Sequence, residues 1–258
     1  MAIDDLLARK AEKSNSSVVF RLYRWDSPTL SCGFHQRVEH RIDFDSCERK
    51  KVHLVRRPTG GRELLHDGDL SFSLTAPFKS YFQGLNRTKS YFFAAGRIIT
   101  EGLNSIGIKA ELVNSVRRKH DNRYRPCLAV VSEYEIVCEG KKIAPMAQRI
   151  YRGSVLVHGS IPLRSSKIST AGLLEVADRS SLQQMIDKSS TSLYQIMNEQ
   201  VDVGVLKESL KNGFQSVLNG RVESYCLTRR ELTEAIQQAY NWKITINQIK
   251  LKQLSTGR

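Results

Sequence analysis

The run Arg56-Arg57-Pro58-Thr59-Gly60-Gly61-Arg62, continued by Glu63, Leu64, Leu65, His66, Asp67 and Gly68, is dense in residue types that do chemistry. A glycine pair admits positive φ and lets a ligand approach the main chain with no Cβ in the way, and guanidinium groups beside it can hold an anion. Such a loop could bind a substrate; a basic hairpin turn with Gly60 and Gly61 at its tip would be written with the same letters. The other reactive groups are five cysteines, Cys32, Cys47, Cys127, Cys138 and Cys226. They are odd in number, widely spaced and lack any C-x-x-C pair, so neither a disulfide framework nor a zinc ribbon is indicated and free thiols are expected. A thiol is only a few per cent ionised at neutral pH, so a cysteine that attacks a carbonyl needs a cation beside it. A lone cysteine without one is an inert buried thiol.

The elements that would position these groups are legible as alternation and period. Residues 2 to 12 have helical spacing with Asp4 and Asp5 in the first turn, and 18 to 25 alternate as a strand ended by Asp26-Ser27-Pro28. A short strand or turn at 30 to 36 and a short helix at 44 to 51 lead to a strand at 53 to 57, which delivers the arginine-glycine loop; 70 to 76 alternate again. A loop held between strands can be aimed. The longest helix is expected over 90 to 106, closed by Gly107, then a strand over 108 to 113 and a basic loop to Pro126. A meander follows with strands at 134 to 138, 141 to 150 and 154 to 163; Pro145 marks an edge or bulge. Beyond residue 165 helices are expected at 170 to 177, 181 to 187, 190 to 198, 201 to 219 and 229 to 241, the last capped by Thr228 with Glu231, and 244 to 254 alternate like a terminal strand. The fold class is α+β, a mixed β-sheet core flanked by helices with a mainly helical C-terminal part. Residues 1–165 would form the core and 166–258 a helical extension packed on it.

At 258 residues and 40% hydrophobic content, the chain suits one large domain or one with a small appendage. No run of about 18 apolar residues occurs, and the N-terminus is acidic and amphipathic where a signal peptide would be basic and then apolar. A cytoplasmic protein is expected, with no membrane contact. The net charge of +14 and pI near 9.7 call for an acidic partner. Nucleic acid is the default guess, but no helix-turn-helix, zinc finger or aromatic stacking platform appears, and an acidic protein fits equally well.

Three stretches stand in register: 22 to 36 (LYRWDSPTLSCGFHQ), 55 to 74 (VRRPTGGRELLHDGDLSFSL) and 139 to 163 (EGKKIAPMAQRIYRGSVLVHGSIPL). Together they resemble the biotin and lipoate protein ligase and transferase superfamily, whose members share a mixed sheet flanked by helices. Members usually carry one more strand ahead of the helix that starts here at residue 2. The stretch from 127 to 143 (CLAVVSEYEIVCEGKKI) is most similar to the cysteine-dependent octanoyltransferases of the lipoate-protein-ligase-A-like type. ATP-dependent lipoate ligases typically have Asn-Asp where this chain has Tyr134-Glu135, and lack a cysteine matching Cys127.

The resemblance implies that Cys127 is the nucleophile and that Lys142 lowers its pKa. An ammonium at about 4 Å with an effective dielectric near 20 contributes on the order of 4 kcal/mol, enough to make the thiolate dominant before desolvation opposes it. It implies transfer of an octanoyl group from octanoyl-acyl carrier protein to a lysine of a lipoyl domain or the glycine-cleavage H protein. No ATP, cofactor, metal or nucleic acid takes part, and a monomer is expected. Arg57, Thr59, Gly60 and Gly61 would line the carbonyl end of the acyl group, with main-chain N–H groups near the thioester oxygen. His66 and Asp67 resemble a family pair that braces the loop as much as it touches substrate. Ala144, Ala147, Gln148, His158 and Gly159 fall in the matching signature, the alanines leaving room for a medium-length chain. His158 reads equally well as a satisfied structural histidine. Close relatives commonly have Gly-Ser-Ala-Gln where this chain has APMAQ (144 to 148), so Pro145-Met146 would narrow the acyl tunnel or alter specificity. Arg117, Arg118, Lys119, Arg123 and Arg125 would dock an acidic carrier or form a solvated loop. Two other readings stand beside this one: an ATP-dependent lipoate or octanoate ligase, and a basic binding module that has kept the fold.

Overall fold

The computed structural model describes residues 1–13, 18–78, 87–113, 126–129, 134–219 and 221–245. Helix α1 (Ala2–Lys13) buries Leu6, Leu7, Ala8 and Ala11 and carries Asp4 and Asp5 in its first turn. Strands β1 (Val19–Tyr23) and β2 (Thr29–Cys32) follow, then the short helix α2 (Phe44–Arg49), whose Asp43 side chain accepts from the Ser46 N–H, and β3 (His53–Arg56). Strand β4 (Leu64–His66), which no alternation marks, comes directly after the glycine loop, and β5 (Asp69–Pro77) after it. Helix α3 (Arg87–Ser105), β6 (Ala110–Leu112) and a 3₁₀ turn at Cys127–Ala129 lead to β7 (Ile136–Cys138), β8 (Lys141–Ala144), β9 (Met146–Ile150) and β10 (Ser154–Pro162). The helical part has a 3₁₀ turn at Ala171–Leu173 and helices α4 (Arg179–Ser189), α5 (Leu193–Met197), α6 (Val203–Leu218) and α7 (Arg229–Trp242).

Among the described residues the strands form three small sheets ordered β1-β5-β10-β9, β3-β2-β4 and β6-β7-β8. The mixed character comes from β2, which pairs parallel with β3 through the α2 crossover and antiparallel with β4. The expected single strand at 141 to 150 is instead two strands in different sheets. Pro145 has no N–H for a ladder, and its carbonyl accepts from Ser160 N at 3.2 Å, which turns the chain from one sheet to the next. The helix expected at 170 to 177 is only the short 3₁₀ turn, and the segment expected as a terminal strand lies mostly outside the described residues.

All nine residues of β5 are buried, the polar half of its alternation included. Leu70, Phe72, Leu74 and Ala76 face the main core with Ile98, Ile99, Leu103, Val155 and Val157; Leu206, Leu210 and Phe214 of α6 lie in the same cluster. On the other face α1 covers the sheet: Ser73 donates to Asp4 at 2.8 Å, Arg21 donates to the same carboxylate at 2.8 Å, and Tyr151 donates to Asp5 at 2.6 Å. Burial opposes the Asp4 charge, but the N-terminal ammonium and Arg21 outweigh it and bring the carboxyl to about 2. No described helix is long and apolar enough to cross a membrane.

Candidate active site

The glycine loop is not a hairpin tip. Its flanking strands β3 and β4 both pair with β2, so the loop passes over the end of β2. Its arginines shape it from beneath. Arg56 Nη1 donates to the carbonyls of Gly33, Phe34 and Gln36, each at 2.9 Å. Arg57 is buried and donates to Ser31 O at 2.9 Å, Ser31 Oγ at 3.0 Å, Gly60 O at 3.0 Å and Arg62 O at 2.7 Å. The two strand ends approach so closely that a Cβ on Gly33 would overlap the carbonyl oxygen of Gly61, which itself has φ 92°. Gly60 differs: a Cβ there would find no atom within 4 Å, so this glycine borders open space.

Cys127 opens its 3₁₀ turn half-buried, and its N–H meets the carbonyl of Glu63, the last residue of the loop before β4, at 3.4 Å. Lys142, only 1% exposed, reaches from β8 and donates from Nζ to the main-chain oxygen of Cys127 at 2.6 Å. The same ammonium forms a buried ion pair with Glu135. The chain after α4 holds this strand from its other side, Thr191 N donating to Lys142 O at 3.0 Å, while α4 lies against the cysteine turn. Burial pushes the Cys127 thiol up; Lys142 and Arg57 pull it down, and Glu135 and Glu63 add to the rise. The net direction is up, so the expectation of a dominant thiolate at rest is corrected. Lys142 and Arg57 act in the expected sense, but burial of the sulfur together with the Glu135 and Glu63 carboxylates outweighs them.

A second cluster adjoins the loop. Thr59 Oγ1 lies 2.6 Å from His158 Nε2, both side chains buried. Ala147 is the cross-strand partner of His158, and the position a Cβ would take on Gly61 is 4.0 Å from Ala147 Cβ. Burial pushes His158 down to about 3, with Asp4 opposing, so the ring is neutral. Gln148 is half-buried opposite Val157, its Oε1 without a hydrogen-bond partner among the described residues. Gly159 is where β10 passes the Phe72 ring and the Pro145 carbonyl, with no room for a Cβ. Ala144 is fully buried in the main core.

His66 stands apart from this cluster. Its Nδ1 meets Asp69 at 2.7 Å, its Nε2 meets Ser31 Oγ at 2.8 Å, and Trp25 stacks on its ring at 4.5 Å between centroids. Asp67 is not its partner: that carboxylate accepts from Ser166 at 2.8 Å and faces Arg164 at 3.8 Å. Ser31 joins His66 to Arg57, and among the described residues that relay is what links the His66 side chain to the loop. Sequence reasoning gave no role to Glu63, Ser31 or Asp69, and noted Glu135 only as a contrast with the ATP-dependent ligases. A carboxylate or hydroxyl at an ordinary strand position carries no signal until its distant partner is known. The basic cluster Arg117, Arg118, Lys119, Arg123 and Arg125 lies outside the described residues. A surface cavity of about 400 Å³, lined by Glu39, His40, Asp43 and Glu175 among others, contains none of the expected site residues.

The fold is that of the lipoate protein ligases. A solved structure of lipoate-protein ligase A bound with ATP is similar with a TM-score of 0.74 at 21% identity, covering 93% of this chain and 87% of that one. A structure from an archaeal lipoylation system, a bi-partite lipoate protein ligase and its E2 lipoyl domain from Thermoplasma acidophilum, is similar at 0.73 and 22%, covering 93% and 86%. The lipoyl protein ligase A/B catalytic domain family matches residues 1–215, and the chain belongs to that family. Among curated relatives, octanoyltransferase LipM of Geobacillus kaustophilus is 32% identical over 239 residues, covering 90% of this chain and 86% of that protein. Octanoyltransferase LipM of Bacillus subtilis is 28% identical over 244 residues, with the same coverage of 90% and 86%. The chain is an acyltransferase.

Proposed function

We propose that this chain transfers an octanoyl group from octanoyl-acyl carrier protein to a lysine of a lipoyl carrier protein in lipoate biosynthesis, through a thioester on Cys127. The observation that carries the reading is the contact of Lys142 Nζ with the backbone of Cys127 at 2.6 Å, beside the glycine loop. In the first half-reaction the Cys127 sulfur attacks the donor thioester, the carrier thiolate leaves, and the thiol proton goes to that thiolate. In the second, the neutral amine of the acceptor lysine attacks the acyl-enzyme; the Cys127 thiolate leaves and the amine proton returns to it, with Lys142 as the relay. A thioester becomes an amide, which runs downhill without an adenylate.

Gly60 and Gly61, held by Arg57 and Thr59, would present main-chain N–H groups to the developing oxyanion. Ala147, Gln148, His158 and Gly159, with Ala144 behind them, would line the path of the acyl chain, and His66 would brace Arg57 through Ser31. The family name of this chain and the names of its octanoyltransferase relatives favour this reading. The test is intact mass spectrometry after mixing with octanoyl-acyl carrier protein in the absence of ATP. An octanoyl adduct lost in Cys127→Ala is expected; an adduct that survives that change, or transfer from free octanoate that needs ATP, would overturn the proposal.

A further inference from the structure

Lys142 is nearly inaccessible, and Glu135, also buried, is in contact with its ammonium. A cation so paired presents a dipole to its surroundings where a free ammonium would present a full charge, so the field it sends to a neighbouring atom depends on the carboxylate as much as on the amine. Among the described residues, the charged groups that act most strongly on the Cys127 thiol are Lys142 from β8, Glu135 ahead of β7, and Arg57 and Glu63 from the glycine loop. The charged side chains of α4, which packs on the cysteine turn, are exposed. Arg57 is engaged by main-chain carbonyls and Ser31, and Glu63 by Arg41 at 2.7 Å. Glu135 is bound to the cation that acts on the sulfur.

We infer that Glu135 is a positioning residue for acyl transfer: by holding the Lys142 ammonium in a contact ion pair against the Cys127 turn, it limits the charge felt by the sulfur and keeps it a protected thiol until a thioester donor arrives. The inference rests on the reading of Cys127 as the acyl-carrying residue. Attack on the donor delivers the thiol proton to the departing carrier thiolate, so the pair ends the first half-reaction with the charges it began with. A resting enzyme built this way resists alkylation and oxidation at the residue it depends on.

The experiment measures alkylation of Cys127 by iodoacetamide as a function of pH, read by peptide mass mapping in the full chain carrying Cys226→Ser, which removes the exposed thiol. Glu135→Gln preserves shape and removes the charge, and its alkylation midpoint is expected about one pH unit or more below that of the parent. Glu135→Asp keeps the charge and is expected to restore the parent midpoint, a rescue that a purely structural role would not produce. Glu135→Met, equally uncharged, is the second variant should Glu135→Gln fail to fold, and the same shift is expected. A folded uncharged variant whose midpoint is unmoved or raised overturns the inference. The parent chain is mixed in parallel with octanoyl-acyl carrier protein. No adduct on Cys127 there would sink the transferase reading, whichever way the midpoints move, so the two failures are told apart.

Discussion

Thr59 and His158, 99 residues apart in the chain, meet at 2.6 Å and tie the glycine loop to the central sheet. The histidine is neutral, its pKa pushed down to about 3 by burial. An unfolded histidine titrates near 6.5, so between about 6.5 and 3 the unfolded chain binds a proton that the folded chain refuses. The stability linked to His158 is therefore complete above about pH 6.5 and declines as pH falls through that window, with a limiting slope of about 1.4 kcal/mol per pH unit. Thermal melts from about pH 7.5 to 4.5 should show this decline. His158→Gln should flatten it; an equally steep decline in the variant would mean another group is responsible.

The glycines of the loop should separate into structural and lining positions. Gly33→Ala pushes a methyl into the Gly61 carbonyl and is expected to destabilise the fold by about 1–3 kcal/mol, visible as a lowered melting temperature. Gly60→Ala meets no atom within 4 Å and should melt like the parent while slowing octanoyl transfer, because its methyl enters the space the substrate would use.

Ser31, His66 and Asp69 are linked at 2.8 and 2.7 Å in the manner of a hydrolase triad. The serine is fully buried and also accepts from Arg57, which makes the chain of bonds a brace and leaves no path for a substrate to the hydroxyl. Ser31→Ala should keep measurable transfer activity and cost about 1–3 kcal/mol of stability, since His66 and Arg57 each lose a buried partner. Complete loss of transfer in a folded Ser31→Ala protein would contradict this assignment.

Lys142→Met leaves the buried Glu135 carboxylate without its cation, so a lowered melting temperature is expected, and the folded variant should slow single-turnover transfer by about 10²–10⁴ as a lost proton relay does. Cys127→Ser should be worse still, at or beyond the upper end of that range, since a serine there has neither thiolate character nor a base of its own. Equal rates for parent and Lys142→Met in single-turnover mixing would remove the lysine from the chemistry.

Local order was readable from the letters alone. Acidic residues at the start of α1, the alternation of β1 and β5, Gly107 after α3 and the Thr228–Glu231 capping box at α7 all act within a few residues of themselves, so neighbouring types suffice to place them. The α+β class and the family followed from such stretches taken in order. Pairing across the chain was not readable. That β3 and β4 flank β2, that β8 and β9 part company at Pro145, and that the polar face of β5 is roofed by Asp4 of α1 depend on partners tens of residues away. The same holds for the sulfur. Sequence alone put a cysteine and a lysine 15 residues apart and suggested an ionised thiol; the folded chain added burial and the Glu135 carboxylate. A protonation state follows from every charge and every excluded water within a few ångströms, and only the tertiary structure decides which those are.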